Sequence, residues 1–201
     1  MTTAPVRHLS IDQFYAEYSD REAERWELVE GIPVRYPIEC PTERAAVGVL
    51  IWEMYSRLAN AYRYEPNSDV FLPPTRGRDT VRMPDLLVRR RVPGVRPEQG
   101  DRSGVALVVE VISPGSVRTD RVTKRREYAA AGIPNYLIVD VRDETPTLTL
   151  YDTLVEPTDP AGAAATTYPH YADPTGDGTS VTLRIDGHAI TLTATDLANA
   201  L

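Results

Sequence analysis

Apolar residues recur along the chain at two spacings, and their order predicts an α/β fold. Residues 42–62 carry apolar side chains at helical spacing, which predicts a long helix with Thr42 as a candidate N-cap. The members of this stripe are Ala46, Val49, Leu50, Met54 and Leu58. Apolar runs predict strands in the segments SDVFLP, TVRMPDLLVRR, VALVVEVIS and NYLIVDV. A second helix is predicted in SVRTDRVTKRREYAAAG, where Gly132 marks its end.

The two ends of the chain add shorter elements to this pattern. Near the start, SIDQFYAEYSD predicts a short helix capped by Ser10, and RWELVEGIPVRYP predicts a hairpin around Gly31. After a strand in TLTLYD, the stretch EPTDPAGAAATTYPHYADPTGDG predicts a flexible loop. The hairpin candidate SVTLRIDGHAITLTA and a short helix in TDLANAL close the chain. We therefore expect a mixed sheet flanked by helices, with a C-terminal β extension.

Composition and motif content narrow the class of protein. A length of 201 residues with 42% hydrophobic and 25% charged residues fits one globular domain. The longest apolar runs have about eight residues, too few for a membrane span, and the N-terminus lacks a signal-peptide core, so we expect a cytoplasmic protein. Cys40 is the single cysteine, which excludes an internal disulfide. Because no P-loop, dinucleotide-binding glycine motif or serine nucleophile elbow is present, nucleotide hydrolysis, redox and esterase chemistry are disfavoured.

The net charge of −7 is distributed unevenly along the chain. Residues 1–139 hold 20 basic and 19 acidic side chains, whereas residues 140–201 hold 2 basic and 10 acidic ones. A protein that coats nucleic acid with its whole surface is therefore excluded. The local clusters RVTKRR and LLVRRRVPGVR remain candidates for phosphate contacts, with a solvated surface as the alternative.

Glu110 stands near the end of the apolar run VALVVEVIS, where a bare carboxylate is costly unless it is paired or coordinated. Asp85, in MPDLLV, lies on the preceding strand-like segment, so two adjacent strands can bring both carboxylates to one edge of the sheet. A hard cation such as Mg²⁺ accepts one or two carboxylates, a backbone carbonyl and several waters. Asp85, Glu110 and the carbonyl of Val111 are thus candidate metal ligands. Taken alone, Asp85 also fits an ordinary turn or cap residue.

Lys124 is the second chemical candidate. Asp120, Lys124 and Tyr128 follow each other at spacings of four residues and lie on one face of the second predicted helix. The alternative is an ordinary surface pair between Asp120 and Lys124. Among the 22 basic residues Lys124 is the only lysine, which favours a place that needs a compact ammonium rather than a guanidinium.

These motifs, in this order, resemble a known family. The chain resembles the Uma family of restriction endonuclease-like proteins, a branch of the PD-(D/E)XK nuclease superfamily. The motifs that carry this resemblance are MPD, VVEVISPGS, DRVTKR with Tyr128, and AGIPNYLIVD. RWELVEG and YPIECPTERAAVG match its N-terminal pattern, so the resemblance covers roughly residues 25–152. It implies one α/β (α+β) domain over residues 1–201, with a restriction-endonuclease-like sheet in this core and an acidic C-terminal extension over residues 153–201.

The resemblance also implies roles for individual residues. Asp85 would be the first metal-binding aspartate and Glu110 the second acidic ligand. The lysine expected two residues after the glutamate is replaced by Ile112, and Lys124 occupies the position to which it has moved in this branch, held by Asp120. Where the family usually has a histidine, this chain has Glu43, which is expected to bind a metal-bound water but also fits altered activity.

The function implied is that of a metal-dependent DNA endonuclease that hydrolyses phosphodiester bonds with Mg²⁺ or Mn²⁺. A two-fold homodimer is expected because its symmetry matches that of duplex DNA. Two alternatives remain open: a catalytically inactive nuclease fold that serves as a binding or regulatory module, and a protein partner that acts through residues 155–180. Glu27 and Glu30 match a family pattern, with a structural role as the alternative to a catalytic one.

Overall fold

The computed structural model describes residues 6–19, 21, 24–156 and 168–199 of the chain. Helix α1 (Ile11–Tyr18) begins after Ser10, whose hydroxyl accepts a hydrogen bond from the backbone amide of Gln13 at 3.3 Å. The Gln13 side chain accepts one from the Ser10 amide at 3.0 Å, so the two residues form a capping box. The predicted cap and helix are confirmed.

The predicted N-terminal hairpin consists of β1 (Arg25–Val29) and β2 (Ile32–Tyr36), which pair antiparallel. Its turn residues Glu30 and Gly31 have φ angles of 47° and 78°. Two consecutive residues with positive φ match the right-handed twist of the flanking strands, and glycine adopts this conformation without strain.

The first long helix, α2 (Pro41–Leu58), begins one residue before the predicted range 42–62 and ends four residues before its end. Its N-cap is Cys40, whose backbone amide donates to the Glu43 carboxylate at 2.8 Å. The prediction of Thr42 as N-cap is therefore wrong, because Pro41 needs no amide partner and takes the first helical position. The predicted apolar stripe is buried apart from Val49, which is half-buried.

The remaining elements have the following bounds. The strands are β3 (Tyr62–Pro66), β4 (Val70–Thr75), β5 (Arg78–Arg82), β6 (Leu86–Arg90), β7 (Val105–Ile112), β8 (Tyr136–Asp140), β9 (Thr147–Tyr151), β10 (Leu154–Val155), β11 (His170–Tyr171), β12 (Gly176–Gly178), β13 (Ser180–Ile185) and β14 (His188–Thr193). A 3₁₀ turn (Ala59–Ala61) follows α2. A π-helical turn (Thr119–Lys124) continues directly into α3 (Arg125–Ala130), and α4 (Ala194–Ala198) ends the described chain.

The central sheet has the strand order β12-β9-β8-β7-β6-β3. Strands β7 and β8 run parallel and their connection contains α3, whereas the other neighbours pair antiparallel. Helix α2 packs on one face of this sheet and α3 on the other, each within its own apolar cluster. The predicted mixed sheet flanked by helices is confirmed.

A second sheet with the order β2-β1-β5-β4 adjoins the first. The segment predicted as a single strand, TVRMPDLLVRR, splits between the two sheets. Met83, Pro84 and Asp85 form the crossing, because Pro84 has no amide hydrogen to continue the ladder of β5. Asp85 therefore lies where the chain enters the central sheet.

The C-terminal extension packs against the central sheet. Val181, Leu183 and Ile190 of the predicted hairpin β13–β14 are buried in the same apolar cluster as α2 and β7. Part of the predicted flexible loop lies outside the described residues, and the remainder contains β11 and β12, so the loop prediction is wrong there. Across the described ranges, no helix combines the length and apolarity that crossing a membrane requires.

We propose that the extension and the core form one domain. A substitution that leaves a cavity in the hairpin β13–β14 should then lower the stability of the whole domain. Leu183 is fully buried, so Leu183→Ala should lower the free energy of unfolding by about 2–5 kcal/mol. The control Arg184→Ala, at an exposed position of the same strand, should change it by less than about 0.5 kcal/mol. Urea denaturation followed by circular dichroism measures both. If Leu183→Ala unfolded in two transitions and the substitution affected only the one at lower urea concentration, the extension would be a separate domain, which would contradict the proposal.

Candidate functional site

The pairing of β6 with β7 brings Asp85 and Glu110 side by side. Leu86 pairs with Val109, so Asp85, one residue earlier, reaches the position of Glu110. One carboxylate oxygen of Asp85 accepts a hydrogen bond from the Val111 amide at 2.6 Å. Both acidic side chains are buried. The sequence-predicted pair thus meets at the edge where β6 begins and β7 ends.

Glu110 faces the α3 side of the sheet, where two residues from the following helical segment contact it. The ammonium of Lys124 lies 2.8 Å from Oε2 of Glu110, and the Tyr128 hydroxyl donates to Oε1 at 2.6 Å. Because strand side chains alternate between faces, Glu110 shares this face with Val108 and Ile112 of the α3 cluster. The helical spacing of Lys124 and Tyr128 therefore lets both reach one carboxylate.

Asp120 and Lys124 are not a surface pair, because only 2% and 4% of their side chains are exposed. The Lys124 ammonium lies 3.4 Å from the Asp120 carboxylate. Both residues lie in the π-helical turn, whose widened backbone departs from the ordinary helical hydrogen-bond pattern. The backbone carbonyl of Asp120 accepts a hydrogen bond from the Tyr136 hydroxyl at 3.0 Å, which anchors this turn to β8.

Glu27, in the N-terminal hairpin, is a further partner of Lys124. Its Oε1 lies 3.5 Å from the ammonium, and its Oε2 lies 2.7 Å from the Arg82 guanidinium. Arg82 also binds both carboxylate oxygens of Glu127, at 2.7 and 2.8 Å. Glu27 is fully buried. This residue, which matches the family pattern, therefore joins the hairpin to the helical segment through ion pairs.

Arg25 and Glu39 also belong to this site, although the sequence analysis did not identify either. One amino group of Arg25 lies 2.7 Å from the Asp85 carboxylate and 3.7 Å from that of Glu39. The other donates to the backbone carbonyl of Met83. Neither residue stands out in the sequence, because both occur among other charged residues close to turns.

A cavity of about 250 Å³ opens onto these groups. Its lining includes every residue predicted to act in catalysis or to bind metal, namely Glu43, Asp85, Glu110, Val111, Asp120 and Lys124, but not the weaker candidates Glu27 and Glu30. Glu43 lies at this cavity through α2, but its carboxylate caps Cys40 rather than pairing with Lys124. The structure thus brings Glu110, Asp120 and Lys124 into direct contact and places Asp85 opposite Glu110 on the neighbouring strand. The carboxylate of Glu43 takes no part in these contacts.

The buried charges shift each other's pKa values. Burial, together with the charges of Asp85 and Asp120, raises the pKa of Glu110 to about 8, although Lys124 opposes the shift. Burial also disfavours the charge of Glu27, but Lys124 and Arg82 outweigh it and lower the pKa of Glu27 to about 2. The carboxylates of Glu110, Glu27 and Asp120 raise the pKa of Lys124, although burial alone would lower it, so the ammonium stays charged.

Acidic side chains outnumber basic ones in this cluster. Six carboxylates contact three cations: those of Glu27, Glu39, Asp85, Glu110, Asp120 and Glu127 contact Arg25, Arg82 and Lys124. A carboxylate oxygen can accept more than one partner, so Asp85 and Glu110 keep coordination capacity. Within the described ranges, no group of three or more His, Cys, Asp or Glu side chains is placed to hold a metal.

Comparisons with known proteins find one family model and a similar solved structure. The family model Uma2, described as "Putative restriction endonuclease", matches residues 11–154. A crystal structure of a "putative nuclease belonging to DUF820" from Anabaena variabilis superposes with a TM-score of 0.61 at 15% sequence identity, covering 97% of this chain and 98% of that one. At this identity the likeness shows the fold. Among curated proteins, no sequence matches the chain.

The raised pKa of Glu110 predicts a stability that depends on pH in metal-free protein. Because the pKa is about 8 in the folded state against an ordinary 4.5, the folded protein keeps a proton that the unfolded chain releases between these values. The contribution of this group to the free energy of unfolding is fully present below pH 4.5. It should decline as the pH rises to 8, by up to about 1.4 kcal/mol per unit.

Glu110→Gln cannot titrate, so it should lack this decline. Urea denaturation of both proteins with chelator, at about pH 5 and about pH 8, measures the difference in stability. We expect that difference to shift in favour of Glu110→Gln at the higher pH. A constant difference would mean that Glu110 is not held in its protonated form by the cluster.

Proposed function

Because this chain belongs to the Uma2 family, we propose that it is a metal-dependent DNA endonuclease that hydrolyses phosphodiester bonds. The observation that carries this proposal is the meeting of Asp85, Glu110 and Lys124 at one buried edge of a nuclease-like fold. Two carboxylates and an ammonium beside a cavity supply what phosphodiester hydrolysis needs, namely a cation site and a fixed positive charge.

Asp85, Glu110 and the carbonyl of Val111 would hold Mg²⁺ or Mn²⁺ at this edge. When bound, such an ion polarises a phosphate oxygen and lowers the pKa of a coordinated water. The protein orients the ligands through its backbone, because the Val111 amide fixes one oxygen of Asp85. The Tyr128 hydroxyl fixes Glu110 from the opposite side.

Lys124 would orient the attacking water or stabilise the charge that develops on the phosphate. Asp120 and Glu27 hold its ammonium at 3.4 and 3.5 Å. These partners keep the lysine charged and restrict its rotamer, so the positive charge is positioned before substrate binds. Glu27 and Asp120 are thus positioning residues, and Glu43 would bind a metal-bound water from the other side of the cavity.

We propose DNA as the substrate and a homodimer as the active form, since a two-fold axis would present one site to each strand of a duplex. Light scattering at the protein concentration of the cleavage assay tests the assembly. A monomer that cleaves both strands of a duplex in one binding event would contradict the dimer.

The proposal predicts a cleavage activity that needs both a divalent ion and Asp85. Wild-type protein should cut DNA with Mg²⁺ or Mn²⁺ and lose this activity in chelator. Asp85→Asn, which keeps the shape of the side chain but not its charge, should reduce cleavage by about 10²-fold or more. The control Glu17→Gln, which removes an exposed carboxylate on α1, should retain full activity. A wild-type protein that binds DNA but never cleaves it would favour the inactive binding module instead.

Lys124→Arg tests the need for a compact ammonium. The guanidinium keeps the charge, but its planar fork is larger and its donors are fixed in different directions. In a position enclosed by three carboxylates, we expect a loss of cleavage of about 10²-fold with a circular dichroism spectrum like that of the wild type. Arg126→Lys, an exposed exchange on the same helix, is the matched control. Full cleavage by Lys124→Arg would rule out the role assigned to this residue.

A further inference from the structure

A second cavity of about 450 Å³ adjoins the acidic site. Arg25 and Ile38 line both cavities, so the two spaces share one wall, and Glu39 lines the second cavity beside Arg25. The opposite side of the second cavity is formed by aromatic residues of α1 and β1, among them Tyr18 and Trp26. The proposed nuclease chemistry does not use this space.

The aromatic wall offers ring faces to a flat group. The rings of Tyr18 and Trp26 lie with their centroids 4.6 Å apart. The planar guanidinium of Arg21, which also lines the cavity, lies 4.5 Å from the Tyr18 ring and 5.4 Å from the Trp26 ring. A flat group that stacks on these rings would therefore take the place of the Arg21 guanidinium, whose side chain is 47% exposed.

The lining of the second cavity contains a buried donor and a buried acceptor for which the described residues supply no hydrogen bond, although the acceptor lies 3.7 Å from the Arg25 guanidinium. They are Nε of Arg25 and Oε1 of Glu39, both of which are buried atoms. Only 8% of the Glu39 side chain is exposed. Buried polar groups in folded proteins nearly always have partners, so a pair without any beside a cavity indicates a ligand with a complementary edge.

We propose that this cavity binds an unpaired nucleobase of the substrate strand, next to the site of cleavage. A nucleobase has π-faces that stack on aromatic side chains and an edge with adjacent donors and acceptors, which matches Trp26, Glu39 and Arg25. The lining has no net positive charge to favour a free phosphate, because the carboxylates of Glu24, Glu39 and Asp69 are matched by the guanidinium groups of Arg21, Arg25 and Arg44. A base within a duplex does not fit either, because its neighbours cover both faces. This inference rests on the proposed function and assigns that site a single-stranded or locally unpaired substrate.

The fluorescence of Trp26 tests this proposal directly. The chain has two tryptophans, and Trp52 is 69% exposed on α2 away from the cavity. In Trp52→Phe, Trp26 is the sole tryptophan, and a short single-stranded oligodeoxynucleotide added in chelator should quench it saturably. Inorganic phosphate should leave the signal unchanged, and the same sequence as a duplex should quench only at much higher concentration. Trp26→Phe, which retains Trp52, is the matched control and should show no saturable quenching.

Variants of Glu39 show whether the edge of the base is recognised. Glu39→Leu removes the acceptor and should weaken binding of the oligonucleotide about tenfold, the usual effect of one lost hydrogen bond in a buried site. Glu39→Gln keeps an acceptor oxygen and should bind within about threefold of the parent. Circular dichroism checks that both variants fold.

The result that would overturn the proposal is an unquenched Trp26 at saturating oligonucleotide, or equal quenching by the duplex. Equal binding by Glu39→Leu and the parent would also overturn it. Because the assay contains chelator, it does not depend on cleavage. Quenching without cleavage would refute the endonuclease activity alone, whereas cleavage without quenching would refute the nucleobase site alone.

Discussion

The burial of the Lys124 ammonium among three carboxylates is the constraint on which this structure depends. Its partners come from three parts of the chain: Glu27 from the hairpin, Glu110 from the central sheet and Asp120 from the π-helical turn. A buried charge that loses its partner typically costs about 3–5 kcal/mol, so these parts must be correctly placed together. The same cluster therefore positions the hairpin and organises the proposed active site.

The cluster contains more acidic than basic side chains, and this excess affects both the stability of the fold and the proposed function. Carboxylates outnumber cations around the cavity, and Glu110 compensates by retaining a proton to about pH 8. Arg25 supplies part of the missing charge at Asp85. A divalent ion would supply the remainder, which is why an arrangement that is costly for a purely structural core is suitable for phosphodiester hydrolysis.

The elements of the fold and the acidic pair at the centre of the site could be predicted from the sequence. The contacts between segments far apart in the chain could not. Helix α2, the hairpins and the central strands follow from strong periodicity, and the adjacency of two strands was enough to bring Asp85 to Glu110. The boundary at Cys40 was missed because Pro41 is as good a helix start as a capping hydroxyl. The contact of Arg25 with Asp85 could not be predicted, because it joins residues 60 positions apart through the relative placement of two sheets.

The measurement that tests this account most directly is a calorimetric titration of the metal-free protein with Mn²⁺. We predict one site per chain that is lost in Asp85→Asn and in Glu110→Gln and is retained in Glu17→Gln, whose carboxylate lies outside the cluster. Saturable binding that survives both cluster substitutions, or no binding by the wild type, would contradict the claim that the buried carboxylates hold a divalent ion.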